Sequence, residues 1–407
     1  MRIQRQPHNR NEAGIALLLA LVFIVLLAAI VTNFMYKIQV DATIVASNSS
    51  DYEALLAAKS GVATALSVLH ADRVGNTLDA EENPEEFGMY DALSEVWAEP
   101  GNLATFNDDV VSMTIVDEYS KLNLNALIFE ASNGEQSGEV VHDVLELAIR
   151  EVFRVDLGFE EDPTDLILDW LDADDDARPN GAESDYYESL DPPFSCKNGP
   201  MDSIEELLLL PGITPEVYFG LPDPDLELEL DDEGEVLQPI PLSDLFTVHG
   251  HPEGRLNINT TSEGLIEVVL MASESLYPGT ITTDMTIIQN QMASEYPFFS
   301  SEAQLIQNRY LPSRLDQNGQ AIQGGGDVDQ NVGFANENNQ NSVNTQSQIP
   351  LPPPMFTVES NVFRIFADGQ SNDAQVRVEV YAFRDPSDKE GATEPQLFRI
   401  LDWRVIR

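Results

Sequence analysis

The sequence predicts an α+β protein. One long N-terminal helix leads into an antiparallel sheet, and a large all-α domain is inserted between the sheet's early and late strands. Three observations carry this. The chain has no charged residue from Ile15 to Tyr36. The stretches "VVSMTIVDEYSKLNLN" and "VFRIFADG…VRVEVYAF…FRILDWRVI" alternate apolar and polar residues at period two, the mark of half-buried strands. Between them lies a long middle section dominated by helix-like patterns.

The first element is the apolar helix. At 1.5 Å per residue the uncharged run spans about 33 Å, enough to cross a hydrocarbon core of roughly 30 Å. A removable secretory signal has a shorter apolar region followed by a small-residue cleavage site, and no such site follows here. From Tyr36 onward no proline occurs before Pro84, and Val62, Leu66 and Leu69 keep a near-helical spacing, so the helix is expected to continue beyond the membrane. Arg2, Arg5 and Arg10 precede the run with only Glu12 against them, which orients the N-terminus to the cytoplasm and the acidic body outside.

Within the middle section, "EVVHDVLELAIREVF" places Val141, Val144, Leu145, Ala148 and Val152 on one face of an amphipathic helix. "MDSIEELLLLPGI" and "GRLNINTTSEGLIEVVL" each set a polar cap before an amphipathic helix, with Asp202, Ser203, Thr260 and Thr261 as candidate caps. "LPGI" also resembles the turn of helix-hairpin-helix DNA-binding elements. No basic cluster lies beside Leu210–Ile213, however, so a helical packing unit is the expectation. Leu221–Val236 reads as an acidic loop or excursion. The Gln-, Asn-, Gly- and Pro-rich stretch 312–354 reads as a flexible loop before the last strands.

Composition narrows the function. The 407 residues carry 70 Asp plus Glu against 21 Lys plus Arg, a formal net charge of −49. Such a surface repels nucleic acid and suits divalent cations, basic partners or a salty medium. Cys196 is the only cysteine, which excludes an intrachain disulfide, and "PFSCKNGP" matches no nucleophile signature. No catalytic triad spacing or phosphate-binding glycine loop is present, and "HGH" at His249–His251 lacks a nearby third ligand, so the reading is not an enzyme.

The one dense chemical constellation is "DWLDADDDARPNGAESDYY". Asp169, Asp172, Asp174, Asp175, Asp176, Glu183 and Asp185 crowd a turn-rich stretch with Pro179, Asn180 and Gly181. Hard oxygen ligands at short spacing are what Ca2+ requires, although the spacing is not that of an EF-hand. A solvated acidic loop is the competing reading. Asp172, Asp174, Asp176 and Glu183 lead as ligands, with Asp202 available from the next segment.

Two sets of residues carry a family resemblance. A short basic leader, Gly14, and then an uninterrupted apolar helix resemble a type IV prepilin-like N-terminus. The segments "IVDEYSKLNLNAL", "LILDWLDADDDARPNGAESDYYESL", "KNGPMDSIEELLLLPGI" and "LFTVHGHPEGRLNINT", in that order, resemble the minor pseudopilin K of the type II secretion system, as do the final strands.

The resemblance implies a pilin-like domain with an all-α insert. It divides the chain into a leader (1–14), a transmembrane helix (15–36), helix and first strands (37–125), the insert (126–311), the loop (312–354) and the final strands (355–407). It implies cleavage by prepilin peptidase between Gly14 and Ile15, with methylation of the new N-terminus. It also implies residence in the bacterial inner membrane with a periplasmic body, and calcium in the helical domain. The implied partners are minor pseudopilins of the I and J types and the major pseudopilin. Leu19 departs from the glutamate common at mature position five, which fits a tip subunit with no predecessor to contact. A membrane-anchored periplasmic enzyme or binding protein, and a type IV pilus minor pilin, are the rival readings.

Overall fold

The structure, a computed structural model, describes residues 10–82, 89–99, 104–106, 109–128, 136–157, 159, 162–221, 239–276, 285–294, 298–300, 355–385 and 398–406. Most of the leader, nearly all of the acidic stretch Leu221–Val236 and the 312–354 loop lie outside the described residues.

Helix α1 runs unbroken over Arg10–Glu82, 73 residues. Its character changes along its length. From Ile15 to Val45 its large apolar side chains are exposed, whereas Ala54, Ala57, Ala58, Val62, Ala65 and Leu69 are buried. Their three- and four-residue spacing forms one stripe, so the second half of the helix packs as an ordinary amphipathic element.

That stripe rests on a five-stranded sheet. Strands β1 (Ala104–Phe106) and β2 (Asp109–Asp117) come first in the chain. The two-residue strands β3 (Leu122–Asn123), β4 (Phe246–Thr247), β5 (Leu256–Asn257) and β6 (Phe356–Thr357) follow, then β7 (Val362–Ser371), β8 (Ala374–Arg384) and β9 (Phe398–Ile406). The large sheet has the order β1-β2-β7-β8-β9 and is antiparallel throughout. Its central pairing sets Ile115 opposite Ile365 and Met113 opposite Ala367.

Alternate residues of β7 and β8, among them Phe363, Ile365, Ala367, Val378, Val380 and Ala382, turn inward onto α1. The approach is close enough to demand glycine. A Cβ at Gly369 would lie 2.0 Å from the Ala54 carbonyl oxygen, and one at Gly61 would lie 2.7 Å from Val111 Cγ1.

The insert between β2 and β7 has its own core, built around α2 (Gln136–Glu151), α3 (Thr164–Leu171), α4 (Ser184–Glu188), α5 (Pro215–Phe219), α6 (Leu242–Leu245), α7 (Glu263–Leu276) and α8 (Met285–Met292). Helix α2 buries the predicted face and packs against α7. "SIEELLLL" forms a 3-10 helix, Ile204–Leu209, capped by Ser203 and Glu206 in a reciprocal capping box. Asp202, Thr260 and Thr261 are not caps. Ser262 Oγ accepts from the Leu265 amide at the start of α7, while the Thr260 hydroxyl donates to Asp117 and that of Thr261 to the Asn257 carbonyl.

An internal repeat also emerges. Leu122-Asn123 pairs in parallel with Phe246-Thr247, and Leu256-Asn257 pairs in the same way with Phe356-Thr357. In each copy the first Asn side chain accepts from the amide two residues on, and the Thr hydroxyl does likewise.

Candidate metal centre

Helix α3 buries Ile167, Leu168, Trp170 and Leu171 in the insert core, and this fixes the opposite ends of the acidic loop. Asp172 ends α3, and Glu183 stands at the N-terminus of α4. The chain between them doubles back, so that carboxylate oxygens of Asp172, Asp174 and Glu183 lie within 4.8 Å of one another.

The reversal depends on two residues. Gly181 passes so close to Asp169 that a Cβ would lie 1.8 Å from its Oδ2. Arg178, the one cation in the loop, donates from Nη1 to Asp169 Oδ1 at 2.6 Å and to Asp172 Oδ2 at 2.5 Å. Asp169 is fully buried and also accepts from the Arg178 amide. A second clamp holds the other end of α3, where Arg150 binds Glu146, Asp162 and Asp165.

Inside the reversal the donors run out. Glu183 is 5 % exposed, and neither of its carboxylate oxygens has a hydrogen-bond partner. Asp172 Oδ1 is likewise buried and unpartnered, its other oxygen being taken by Arg178. Burial, followed by repulsion from Asp169, Asp172, Asp175 and Asp174, pushes the Glu183 carboxyl up to about 7. Unpartnered anionic oxygens facing one another are costly unless a cation sits among them. The donor set is all hard oxygen, which matches Ca2+.

Two of the five predicted ligands stand apart from this group. Asp176 is exposed, and its amide donates to Asp174 Oδ1. Asp202 has been drawn away by Lys197, whose Nζ lies 2.7 Å from it; that contact lowers the carboxyl's pKa, and the side chain is 92 % exposed.

Sequence reasoning missed Asn198. It adopts the left-handed conformation at φ 47°, and its Nδ2 donates to the Asp174 carbonyl and to Asp175 Oδ1. Its Oδ1 is buried and unpartnered, so it is a further neutral oxygen beside the loop. The signal was the Asn-Gly pair at 198–199, which marks a turn. Cys196 is buried with its thiol directed at the Asp169 carbonyl, and burial raises its pKa, as befits a structural thiol.

The two histidines of "HGH" serve packing. His249 lies against Tyr381 with ring centroids 4.7 Å apart, and His251 packs edge-on to Tyr119 at 5.2 Å. Burial lowers both, His251 to about 4, so both are neutral. At the other end of the molecule, Ile15 and Leu19 lie on the exposed part of α1, 62 % and 55 % accessible. Among the described residues this is the one helix long and apolar enough to cross a membrane.

Residues 120–222 match the family model described as Type II secretion system (T2SS), protein K. This segment contains the whole acidic loop. The type II secretion system protein K of Klebsiella pneumoniae is 26 % identical over 217 residues, which cover 52 % of this chain and 62 % of that protein. Its counterpart in Aeromonas hydrophila is 25 % identical over 220 residues, covering 53 % and 63 %. The match therefore spans less than two thirds of these relatives' length. A chain in the crystal structure of the GspK-GspI-GspJ complex from the enterotoxigenic Escherichia coli type 2 secretion system shares the fold. Its TM-score is 0.53 at 18 % identity, covering 89 % of this chain and 99 % of that one.

Proposed function

We propose, on the premise that residues 120–222 form a protein K domain of the type II secretion system, that this chain is a minor pseudopilin at the tip of the periplasmic pseudopilus, where it helps initiate assembly for protein export. The observation that carries the reading is the joining, in one chain, of that domain to a single continuous helix whose first half is exposed and apolar and whose second half packs on a sheet. An exposed apolar helix of this length serves an inner membrane first, and then the neighbouring helices of a filament.

In this reading prepilin peptidase cuts between Gly14 and Ile15 and the new N-terminus is methylated. Leu19 leaves the mature fifth position without a carboxylate. An unpaired glutamate there would be costly in lipid, and a subunit with no predecessor has no use for one. The partners are the I- and J-type minor pseudopilins, with the major pseudopilin below them. The chain acts by assembly and has no catalytic role.

Calcium belongs to the same proposal. Asp172, Asp174 and Glu183 would hold the ion, and Asn198 lies close enough to the loop to contribute. Bound there, the ion neutralises the carboxylates and fixes the turn between α3 and α4. Arg178 keeps Asp172 oriented by occupying its other oxygen.

The test is N-terminal sequencing of the membrane-extracted protein from cells with and without prepilin peptidase, together with co-purification of the I and J types. A peptidase-dependent start at Ile15 and recovery of both partners is the expected result. An intact Met1 in cells with active peptidase would overturn the pseudopilin reading and favour a membrane-anchored periplasmic enzyme or binding protein. Partners drawn from a pilus instead of a secretion system would make the chain a type IV minor pilin.

A further inference from the structure

A second group of carboxylates, remote from the acidic loop in sequence, closes the junction where α1, the sheet and the insert meet. Asp72 comes from α1, Asp91 and Glu95 from the segment 89–99, Asp117 from the end of β2, and Arg384 from the end of β8. Carboxylate oxygens of Asp72, Asp91 and Glu95 lie within 4.8 Å of one another.

The hydrogen bonds assign a state to each. Arg384, 4 % exposed, donates from Nη2 to both oxygens of Asp91 at 2.6 Å, and the Ser360 amide adds a third donor at 2.8 Å. Asp91 thus has its cation in place and both oxygens engaged. Glu95 accepts from Asn76 Nδ2, the Ala92 amide and Trp97 Nε1, so it too is held as an acceptor. Asp117 accepts from Ser360, Thr260, Asn257 and the Tyr119 amide. Asp72 differs. Its Oδ2 is buried and no donor reaches it.

One missing hydrogen on one oxygen is what a proton supplies. A metal ion would need several free oxygens, and those of Asp91 and Glu95 are already engaged. We propose that a single proton shared between Asp72 and Glu95 fastens the second half of α1 to the 89–99 segment, which makes the junction a pH-sensitive clasp. This inference does not rest on the pseudopilin reading.

The clasp reaches all three parts of the molecule. Asn76, one turn along α1 from Asp72, donates to the Tyr90 carbonyl at 2.8 Å, which fixes the same segment. Asn257 of the insert donates to the Asp91 carbonyl, to Asp117 and to Ser360. Among the other groups facing the site, Arg73 pairs with Glu359 at 3.1 Å, and Tyr119 is held neutral by burial beside Asp117. Glu95, Glu359 and Asp117 are raised by burial, the last to about 6, and Arg384 keeps Nε and Nη1 unpartnered. Burial, then repulsion from Glu95 and Asp91, pushes Asp72 up to about 8 against the pull of Arg384. Deprotonating Asp72 would leave its unpartnered oxygen as an anion beside two further carboxyl groups.

The test uses the full-length protein in detergent micelles and follows hydrogen exchange, corrected for intrinsic rates, in peptides covering residues 70–76 and 89–99 from pH 5 to 9. Asp72 holds its proton more tightly in the folded state, so its contribution is largest at low pH. It is lost as pH rises from about 4 toward about 8 and is level above that. Protection should fall by up to about tenfold per pH unit in the wild type. Asp72→Asn keeps a donor toward Glu95 that cannot ionise, and should remove most of the slope in these two segments only. An unchanged slope in Asp72→Asn, or a flat wild-type profile, overturns the proposal. Should Asp72→Asn fail to fold, isotope-edited infrared of wild-type protein labelled at aspartate decides. Loss of a protonated carboxyl band between pH 7 and pH 9 is expected, and absence of that band at pH 7 refutes the shared proton.

Discussion

Replacing Glu183 by glutamine should make the protein more stable in a chelator and indifferent to calcium. A carboxyl lifted from 4.5 to about 7 costs roughly 3 kcal/mol to ionise where it stands. At pH 8 with chelator, the wild type therefore carries a burden that the glutamine variant lacks. Glutamine leaves one oxygen unpartnered instead of two and brings an amide donor within reach of Asp172 and Asp174, so a net gain of about 2 kcal/mol is expected. For an insert of this size that is a rise of roughly 4–8 °C in the unfolding midpoint.

Calcium reverses the order. At about a hundred times its dissociation constant the ion stabilises the wild type by about 2.7 kcal/mol, whereas the variant has lost a central charge of the group. The assay is thermal unfolding of both proteins at pH 8, in chelator and across a calcium titration. The reasoning fails if the variant is the less stable protein in chelator, or if its midpoint climbs with calcium as steeply as the wild type's.

Three further outcomes follow from packing and charge. Gly369→Ala forces a methyl group against the Ala54 carbonyl and should destabilise the helix–sheet contact by about 1–3 kcal/mol, read by denaturant unfolding. Arg384→Met leaves Asp91 buried without its cation and should cost about 3–5 kcal/mol, read by denaturant unfolding at pH 7. His251 is buried neutral, so its contribution is complete above pH 6.5 and is lost as pH falls toward 4. His251→Phe should flatten stability-against-pH curves across that window, at the loss of the bond from the Glu253 amide.

The elements that could be read from sequence are those whose period is set by burial against a single surface. The second half of helix α1, helix α2 and strands β2 and β7 bury one side and leave the other more exposed, and their residues alternate accordingly. The reading failed where side chains were recruited over long distances. Thr260 looks like a helix cap until Asp117, 143 residues earlier, takes its hydroxyl. Asp202 looks like a ligand until Lys197 claims it.

The acidic loop was visible as composition. What makes it a site is the arrangement of its neutralising groups. Arg178 satisfies Asp169 and half of Asp172, which selects the oxygens left bare. The repeat of Leu-Asn and Phe-Thr pairs was legible as letters, but two-residue strands carry no periodicity and give no pattern to find.

The central pairing of β2 with β7 also bears on how the chain reaches its fold. Residues 118–361 lie between these strands. Bringing together the ends of a flexible loop of roughly 240 residues costs about 5 kcal/mol in entropy before any ladder bond forms. A folded insert removes that burden, because Asp117 and Ser360 at its two ends are already joined through a 2.6 Å hydrogen bond and through Asn257. The sheet should therefore close late, zipping outward from a hinge that the insert has set. A nick or deletion within the helical domain would then appear first as a failure of the strands to pair.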